Sequence, residues 1–206
     1  MTIRGRPRAF DREQALQTAL ITFWEKGYDL TQVADLTAAM GIKPPSFYAA
    51  FGSKQAAFNE AIDLYLRTVG SKTIHVLEQT PAVNDAIRAM LAESINAALS
   101  APAGGCLLIL GVIHRTPDNA QLCQRLEDIR ISNVDSIRNR LQRAAEEGEL
   151  AATAVEGLTQ LIATVLQGLS LRARDGATRE ELELAVEGAM AVFEQLAGGK
   201  RQASAQ

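Results

Sequence analysis

The sequence predicts an all-α protein: a three-helix N-terminal unit built on a helix-turn-helix, followed by a larger helical body. Three observations carry that prediction. Residues 32–54, QVADLTAAMGIKPPSFYAAFGSK, hold a helical run, a Gly-Ile turn, a second short helix opening on two prolines and a Tyr-x-x-Phe-Gly-Ser-Lys exit. Apolar side chains recur at helical spacing along nearly the whole chain. The one apolar run suited to a strand, Cys106 to Ile113, has no partner strand elsewhere and is read as a buried helix.

Asp11 with Gln14 is a capping-box-like start to the first helix, and Leu16, Ala19, Leu20, Phe23 and Trp24 form its apolar stripe. A second helix over 32–40 stops at Gly41, where positive φ carries no steric cost. Pro44 and Pro45 fall in the first turn of a third helix, about 44–51, where no intrahelical N–H is lost. Val33, Leu36, Met40, Ile42, Phe47 and Phe51 then pack inward. Lys43, Ser46, Tyr48 and Ala49 face outward and, with Pro44 and Pro45, form a candidate surface for reading a DNA major groove. None of them is the Arg, Asn or Gln of the common bidentate base contacts, so thymine methyl groups are the natural target.

Ser53 reads as the N-cap of a linking helix over 53–77, with Phe58, Ile62, Tyr65, Leu66 and Val69 on its apolar face. Pro81 opens the next helix, burying Ile87, Met90, Leu91, Ile95 and Leu99 before Ala101–Gly105 interrupts the chain. Asp118 with Gln121 starts a long helix that Gly148 ends after Glu147. Thr153 with Glu156, and Thr178 with Glu181, are capping boxes that open the last two helices. Residues 1–52 are therefore assigned to a basic arm and helix-turn-helix domain, 53–198 to a helical body, and 199–206 to a disordered tail.

Charge adds detail. Lys54 falls in the first turn of its helix, where the macrodipole disfavours a cation; a bound phosphate reverses that penalty, although a solvated surface lysine is the bland alternative. Arg4, Arg6 and Arg8 precede any acid and suit a narrow minor groove, or else form an ordinary solvated terminus. Net charge is -3 overall, yet the first 60 residues hold seven Lys/Arg against six Asp/Glu, leaving the body acidic. The chain has 206 residues, 47% of them hydrophobic, enough for one good core and a small second module. No charged-plus-apolar leader and no run of 18 apolar residues is found, so a cytoplasmic protein with no membrane partner and with Cys106 and Cys123 as thiols is expected. Two histidines and no nucleophile, base and orienter set argue against an enzyme.

Over residues 10–60 the chain resembles the tetracycline-repressor-like (TetR) family of bacterial one-component regulators. The resemblance rests on FWEKGYDLT (Phe23 to Thr31), Leu36, Gly41-Ile42, Phe47-Tyr48 and Phe51-Gly52-Ser53-Lys54. It implies that Tyr48 and Lys54 contact DNA phosphates and that Thr31 helps begin the second helix. It further implies a homodimer through the last two helices, where Ala163, Gly168, Ala185, Gly188 and Ala191 supply small residues, and a palindromic operator. The middle helices would surround a cavity for a small apolar effector, with no cofactor and no bound metal. Candidate cavity residues are Asn96, Cys106, His114, Arg130, Asn133, Gln167 and Ser170. The sequence departs from the family at Lys43-Pro44-Pro45, where Ser, a variable residue and Gly are more usual. Two other regulators fit the same residues: one responding to thiol chemistry or a metal, and one controlled by a partner protein. Cys106 and His114 lie two helical turns apart, too far to share a metal directly.

Overall fold

The computed structural model describes residues 10–100 and 103–198; Arg4, Arg6, Arg8 and the tail 199–206 lie outside them. The described residues are helical, with short connections. Helix α1 (Arg12–Leu30) starts at Asp11, whose carboxylate accepts the N–H groups of Glu13 and Gln14. Helices α2 (Val33–Met40) and α3 (Pro44–Phe51) flank the turn at Gly41, which takes φ 65 as expected. Helix α4 (Lys54–Tyr65) then runs back along α1. The four pack around Phe23, Leu36, Phe47 and Phe58, with Phe23 edge-on to Phe58 at 4.9 Å between ring centres. Arg12 closes this head from outside: it grips both Glu60 carboxylate oxygens at 2.7 and 2.8 Å and donates to Ala50 O.

Helix α1 is not continuous. Gly27 sits at φ 74 and ψ 167 and interrupts the helix. The Tyr28 N–H therefore leaves the helical ladder and donates to Gly111 O at 2.8 Å. The carbonyls of Trp24 and Glu25 are taken up by Arg174, whose guanidinium also donates to Gly104 O. A helix end leaves carbonyls without partners, and here a side chain almost 150 residues downstream supplies them.

The expected linking helix over 53–77 is observed as three pieces: α4, a wide π turn at Leu66–Gly70, and α5 (Ser71–Gln79). Gly70 leaves room there for Tyr65; a Cβ on it would lie 2.8 Å from Tyr65 Cε1. Helix α6 (Val83–Ser100) begins two residues beyond Pro81, because the Val83 N–H is capped at 2.8 Å by the remote Glu149 carboxylate. Glu149 also lies 3.9 Å from Arg140, a guanidinium that is almost fully buried and donates to the carbonyls of Thr80 and Pro81. The α5–α6 turn is thus pinned by a buried cation.

The apolar run 106–113 yields only the short α7 (Leu107–Leu110). Its flanks are diverted: Gly105 O accepts from Trp24 Nε1 at 2.9 Å, and Gly111 O serves Tyr28. Helix α8 (Ala120–Glu146) is preceded by a 3₁₀ turn whose reciprocal cap is Thr116 with Asn119, in place of the expected Asp118 and Gln121. Thr153 does not cap α9 (Val155–Arg174); a 3₁₀ turn at Ala152–Ala154 leads in, and Glu156 bonds Arg138 and Gln160 instead. Before α10 (Arg179–Gly198) the capping box is as expected, the Thr178 N–H donating to Glu181 and the Glu181 N–H to the Thr178 hydroxyl.

Two cores result. The first joins the head to α7 and the start of α8 through Leu107, Leu122 and Leu126, and so extends past residue 52. The second unites α5, α6, α8, α9 and α10 around Leu77, Ile87, Met90, Leu141, Ile162 and Phe193. The span 152–174 is long and apolar enough to cross a membrane by length and composition, but Leu158, Ile162 and Leu169 bury into this second core.

Gly27→Ala is expected to lower stability by about 1–3 kcal/mol, the range for a side chain forced into a backbone region essentially open to glycine alone. Gly41→Ala, where a new Cβ meets open space and only the left-handed φ is at issue, should cost about 1 kcal/mol. Urea titration of both variants checks the order; equal losses would show that the break in α1 carries no special strain.

Candidate functional site

The outward face of α3 is apolar with a single aromatic. Lys43 is the N-cap, Pro44 and Pro45 occupy the first turn, and Tyr48 and Ala49 follow; all five are exposed, Tyr48 by 51%. Ser46 is only half-buried, its N–H turned back to Lys43 O. Phe47 and Phe51 face the opposite way into the core, and Tyr48 stands edge-on to Phe47 at 5.6 Å. Because Pro44 and Pro45 have no N–H, the start of α3 cannot serve as an anion site. The start of α4 can. Ser53 caps the Ala56 N–H at 3.0 Å, and no hydrogen bond from the backbone N–H of Lys54 or Gln55 is found among the described residues.

Lys54 has a second task that its sequence position does not reveal. Its ammonium donates to Tyr28 O and Thr31 O, both at 3.0 Å, and lies 4.1 Å from the centre of the Tyr28 ring. It collects carbonyls at the frayed end of α1, and burial pulls its pKa below the usual lysine value. One of its three donors is left over. Thr31 is corrected: it is fully buried and its hydroxyl donates to Gly27 O at 2.6 Å, so it faces no ligand. Helix α2 is started instead by Gln32, whose N–H donates to the Asp35 carboxylate, itself held by Lys26 at 2.7 Å. Arg4, Arg6 and Arg8 fall outside the described residues.

In the body, a cavity of about 100 Å³ is lined by α5, α6, α7, α8 and α9 together with Tyr65 and Gly70. Its walls contain Cys106, Arg130, Asn133, Gln167 and Ser170, five residues singled out by sequence. Asn96 and His114 are corrected. Asn96 is exposed on α6, bonded to Glu93 and Arg179; His114 is exposed in the loop before α8. Both assignments assumed polar tips among apolar neighbours, and tertiary packing turns them outward. Ala163, expected on a free face of α9, is buried and lines the cavity.

Cys106 Sγ lies 3.2 Å from the Tyr65 hydroxyl, and burial raises both groups, keeping both protonated at neutral pH. The Cys106 N–H donates to the Ser170 hydroxyl at 2.8 Å. No three His, Cys, Asp or Glu converge on a metal position among the described residues. Tyr65, which the sequence placed only in an apolar stripe, joins the cavity to the head: its ring stands edge-on to Trp24 at 4.9 Å.

Lys54→Met, which keeps the stem and deletes the donors, should lower stability by about 1–2 kcal/mol, since the Tyr28 and Thr31 carbonyls lose a charged partner. Thermal and chemical unfolding without DNA report this; an unchanged midpoint would show that water replaces the ammonium at no cost.

The sequence pattern of the bacterial regulatory proteins of the tetR family matches residues 15–61. Two proteins of Escherichia coli (strain K12), the HTH-type transcriptional repressors ComR and BdcR, are 31% and 30% identical; each match covers 87% of this chain and 87% of the relative. A cysteine mutant of the TetR family transcriptional regulator CifR, solved in complex with 26-bp double-strand operator DNA, has 40% identity and a TM-score of 0.85, covering 91% of this chain and 100% of CifR. Similarity of that extent, joined to the helix-turn-helix geometry, identifies the chain as a TetR-family helix-turn-helix transcriptional regulator, a DNA-binding protein and not an enzyme.

Proposed function

We propose that the protein is a repressor that binds a palindromic operator as a homodimer in the bacterial cytoplasm and is released by a small effector bound in the body cavity. The observation that carries DNA binding is the exposed face of α3, Lys43 to Ala49, beside the free N–H groups that open α4. In this reading Tyr48 and the leftover Lys54 donor hold phosphates, while Pro44, Pro45 and Ala49 meet thymine methyl groups and Lys43 a guanine. Arg4, Arg6 and Arg8 add minor-groove contacts to A·T-rich flanks. CifR's complex with operator DNA supports the same use of the fold.

Dimerisation is supported by surfaces that the monomer leaves unused. Leu184, Gly188, Val192 and Leu196 make an exposed ridge on α10, and Gly157, Thr164, Gly168 and Leu171 an exposed stripe on α9. A Cβ at Gly157, Gly168 or Gly188 would meet nothing within 4 Å, so packing inside the chain does not require glycine at these positions. Glycine there would let a second pair of helices approach closely, and a twofold pair would span two successive major grooves.

The cavity wall supports effector release. Tyr65, Gly70, Thr73 and Ile74 flank the π turn on the chain segment that carries the head, and Tyr65 contacts Trp24. A ligand that fits better when this segment shifts favours a different spacing of the two heads and depopulates the operator-bound state.

Sequencing of DNA fragments selected by the purified protein tests the reading and should yield an inverted repeat with A·T-rich flanks. On that operator, Tyr48→Phe should weaken binding about equally on all sequence variants, and Lys54→Met should reduce the log–log salt slope by roughly one unit. Replacing the central thymines by uracil, which removes only methyl groups, should also cost affinity. Indifference to uracil would overturn the thymine-methyl account of specificity.

Leu184→Glu combined with Val192→Glu should convert a dimer into a monomer in analytical ultracentrifugation and abolish tight binding to the full palindrome. A dimer that survives both charges places the interface elsewhere.

A further inference from the structure

The lining of the cavity also constrains what enters it. Arg130, Val134 and Gln167 line both the cavity and an outer groove, so they stand at a mouth between the two. Arg130 makes one hydrogen bond among the described residues, to Leu108 O at 2.6 Å, and no ion pair there. The two acidic residues that line the groove are engaged elsewhere: Glu127 by Arg115 and Asp135 by Arg138. Residues 1–9, 101–102 and 199–206 contain no Asp or Glu. No acidic side chain lines the cavity, and neither Asn133 nor Gln167 has a side-chain hydrogen bond among the described residues. The remaining wall is largely hydrocarbon, with Ile74, Ala98, Ile137 and Ala163.

A guanidinium and two amides beside an apolar chamber are poorly served by a neutral hydrophobic ligand, which would dehydrate them without offering acceptors. A carboxylate accepts two guanidinium N–H groups in parallel and leaves a hydrocarbon tail to fill the chamber. A doubly charged phosphate would keep one charge uncompensated, because Arg130 is the only Lys, Arg or His in the lining among the described residues. An apolar cavity of about 150 Å³ takes a benzene, so a chamber of about 100 Å³ holds at most a single ring or a short chain without widening at its mouth. We infer that the cavity binds a small monocarboxylic acid, its carboxylate held at the mouth by Arg130 and Gln167 and its apolar tail between α6, α8 and α9. This assignment rests on the effector-release reading above and narrows it to one ligand class.

The experiment uses the full chain with benzoate, phenylacetate, butyrate, hexanoate and octanoate, each beside its neutral primary amide. Thermal shift and isothermal titration report binding, and fluorescence anisotropy of labelled operator reports release. At least one acid should bind tenfold or more tighter than its amide. Arg130→Gln should erase that preference, and Arg130→Lys, which keeps a cation able to reach Leu108 O, should retain part of it and the native fold. Amides that bind as tightly as acids, or an acid preference that survives Arg130→Gln, overturn the carboxylate assignment and leave effector release standing. Acids that bind without releasing DNA support the assignment and remove the release mechanism. If no acid binds while neutral apolar molecules do, the ligand class is wrong; if neither binds, both the cavity's ligand role and the assignment fall.

Discussion

The interruption of α1 at Gly27 is the constraint on which the arrangement of head and body depends. A continuous helix would have satisfied the Trp24 carbonyl with the Tyr28 N–H. With that bond gone, donors and acceptors at the end of α1 must be met from elsewhere, because buried backbone groups without partners are costly. Arg174 takes Trp24 O and Glu25 O, Gly111 O takes the Tyr28 N–H, and Lys54 takes Tyr28 O and Thr31 O. Three chain segments far apart in sequence are thereby brought to one helix end. The same contacts tie the two ends of 105–111 to the head, through the Gly105 and Gly111 carbonyls.

That junction lies directly beside the cavity. Trp24 donates to Gly105 O and packs edge-on against Tyr65, whose hydroxyl meets Cys106 on the cavity wall. A ligand in the chamber is therefore one side chain removed from α1. The π turn at Leu66–Gly70 lies in the same wall, and departures from the regular helical ladder are where a helix changes direction most cheaply. Arg125 adds a second tie, donating to the carbonyl and side-chain oxygens of Asn59 and to Asp63, so α8 grips α4 below the chamber. In the proposed mechanism an effector would shift the heads only by as much as it binds one spacing better than another, and a small chamber with a polar group at its mouth would suit that difference.

Local signals in the sequence were sufficient for the helix-turn-helix. Gly41, Pro44 and Pro45 act through their own backbone restrictions, and Asp11 and Thr178 bond groups two or three residues away. Several departures are cases in which a distant partner prevailed. Val83 is capped by Glu149, Glu156 is drawn to Arg138, and Asn119, which caps with Thr116, is also held by Asp29. Thr31 carried a family expectation, yet burial beneath the end of α1 turned its hydroxyl inward. Among the cavity candidates, Cys106, Arg130, Asn133, Gln167 and Ser170 shared a wall, while Asn96 and His114 did not. One-dimensional periodicity gives the face of a helix but not which neighbour covers it.

By itself, then, the sequence determined the helical class, the turn chemistry of the reading unit and most of the outward set on α3, because φ restrictions, capping and 3.6-residue periodicity act within a few residues. Tertiary structure decided the rest. It set the break in α1, the bonds of Lys54 to the Tyr28 and Thr31 carbonyls, the lining of the chamber by five helices, and the position of Arg130 at its mouth without an acidic partner among the described residues. Each depends on groups brought together from 20 to 150 residues apart, whose hydrogen bonds and burial exist only once the chain has closed on itself.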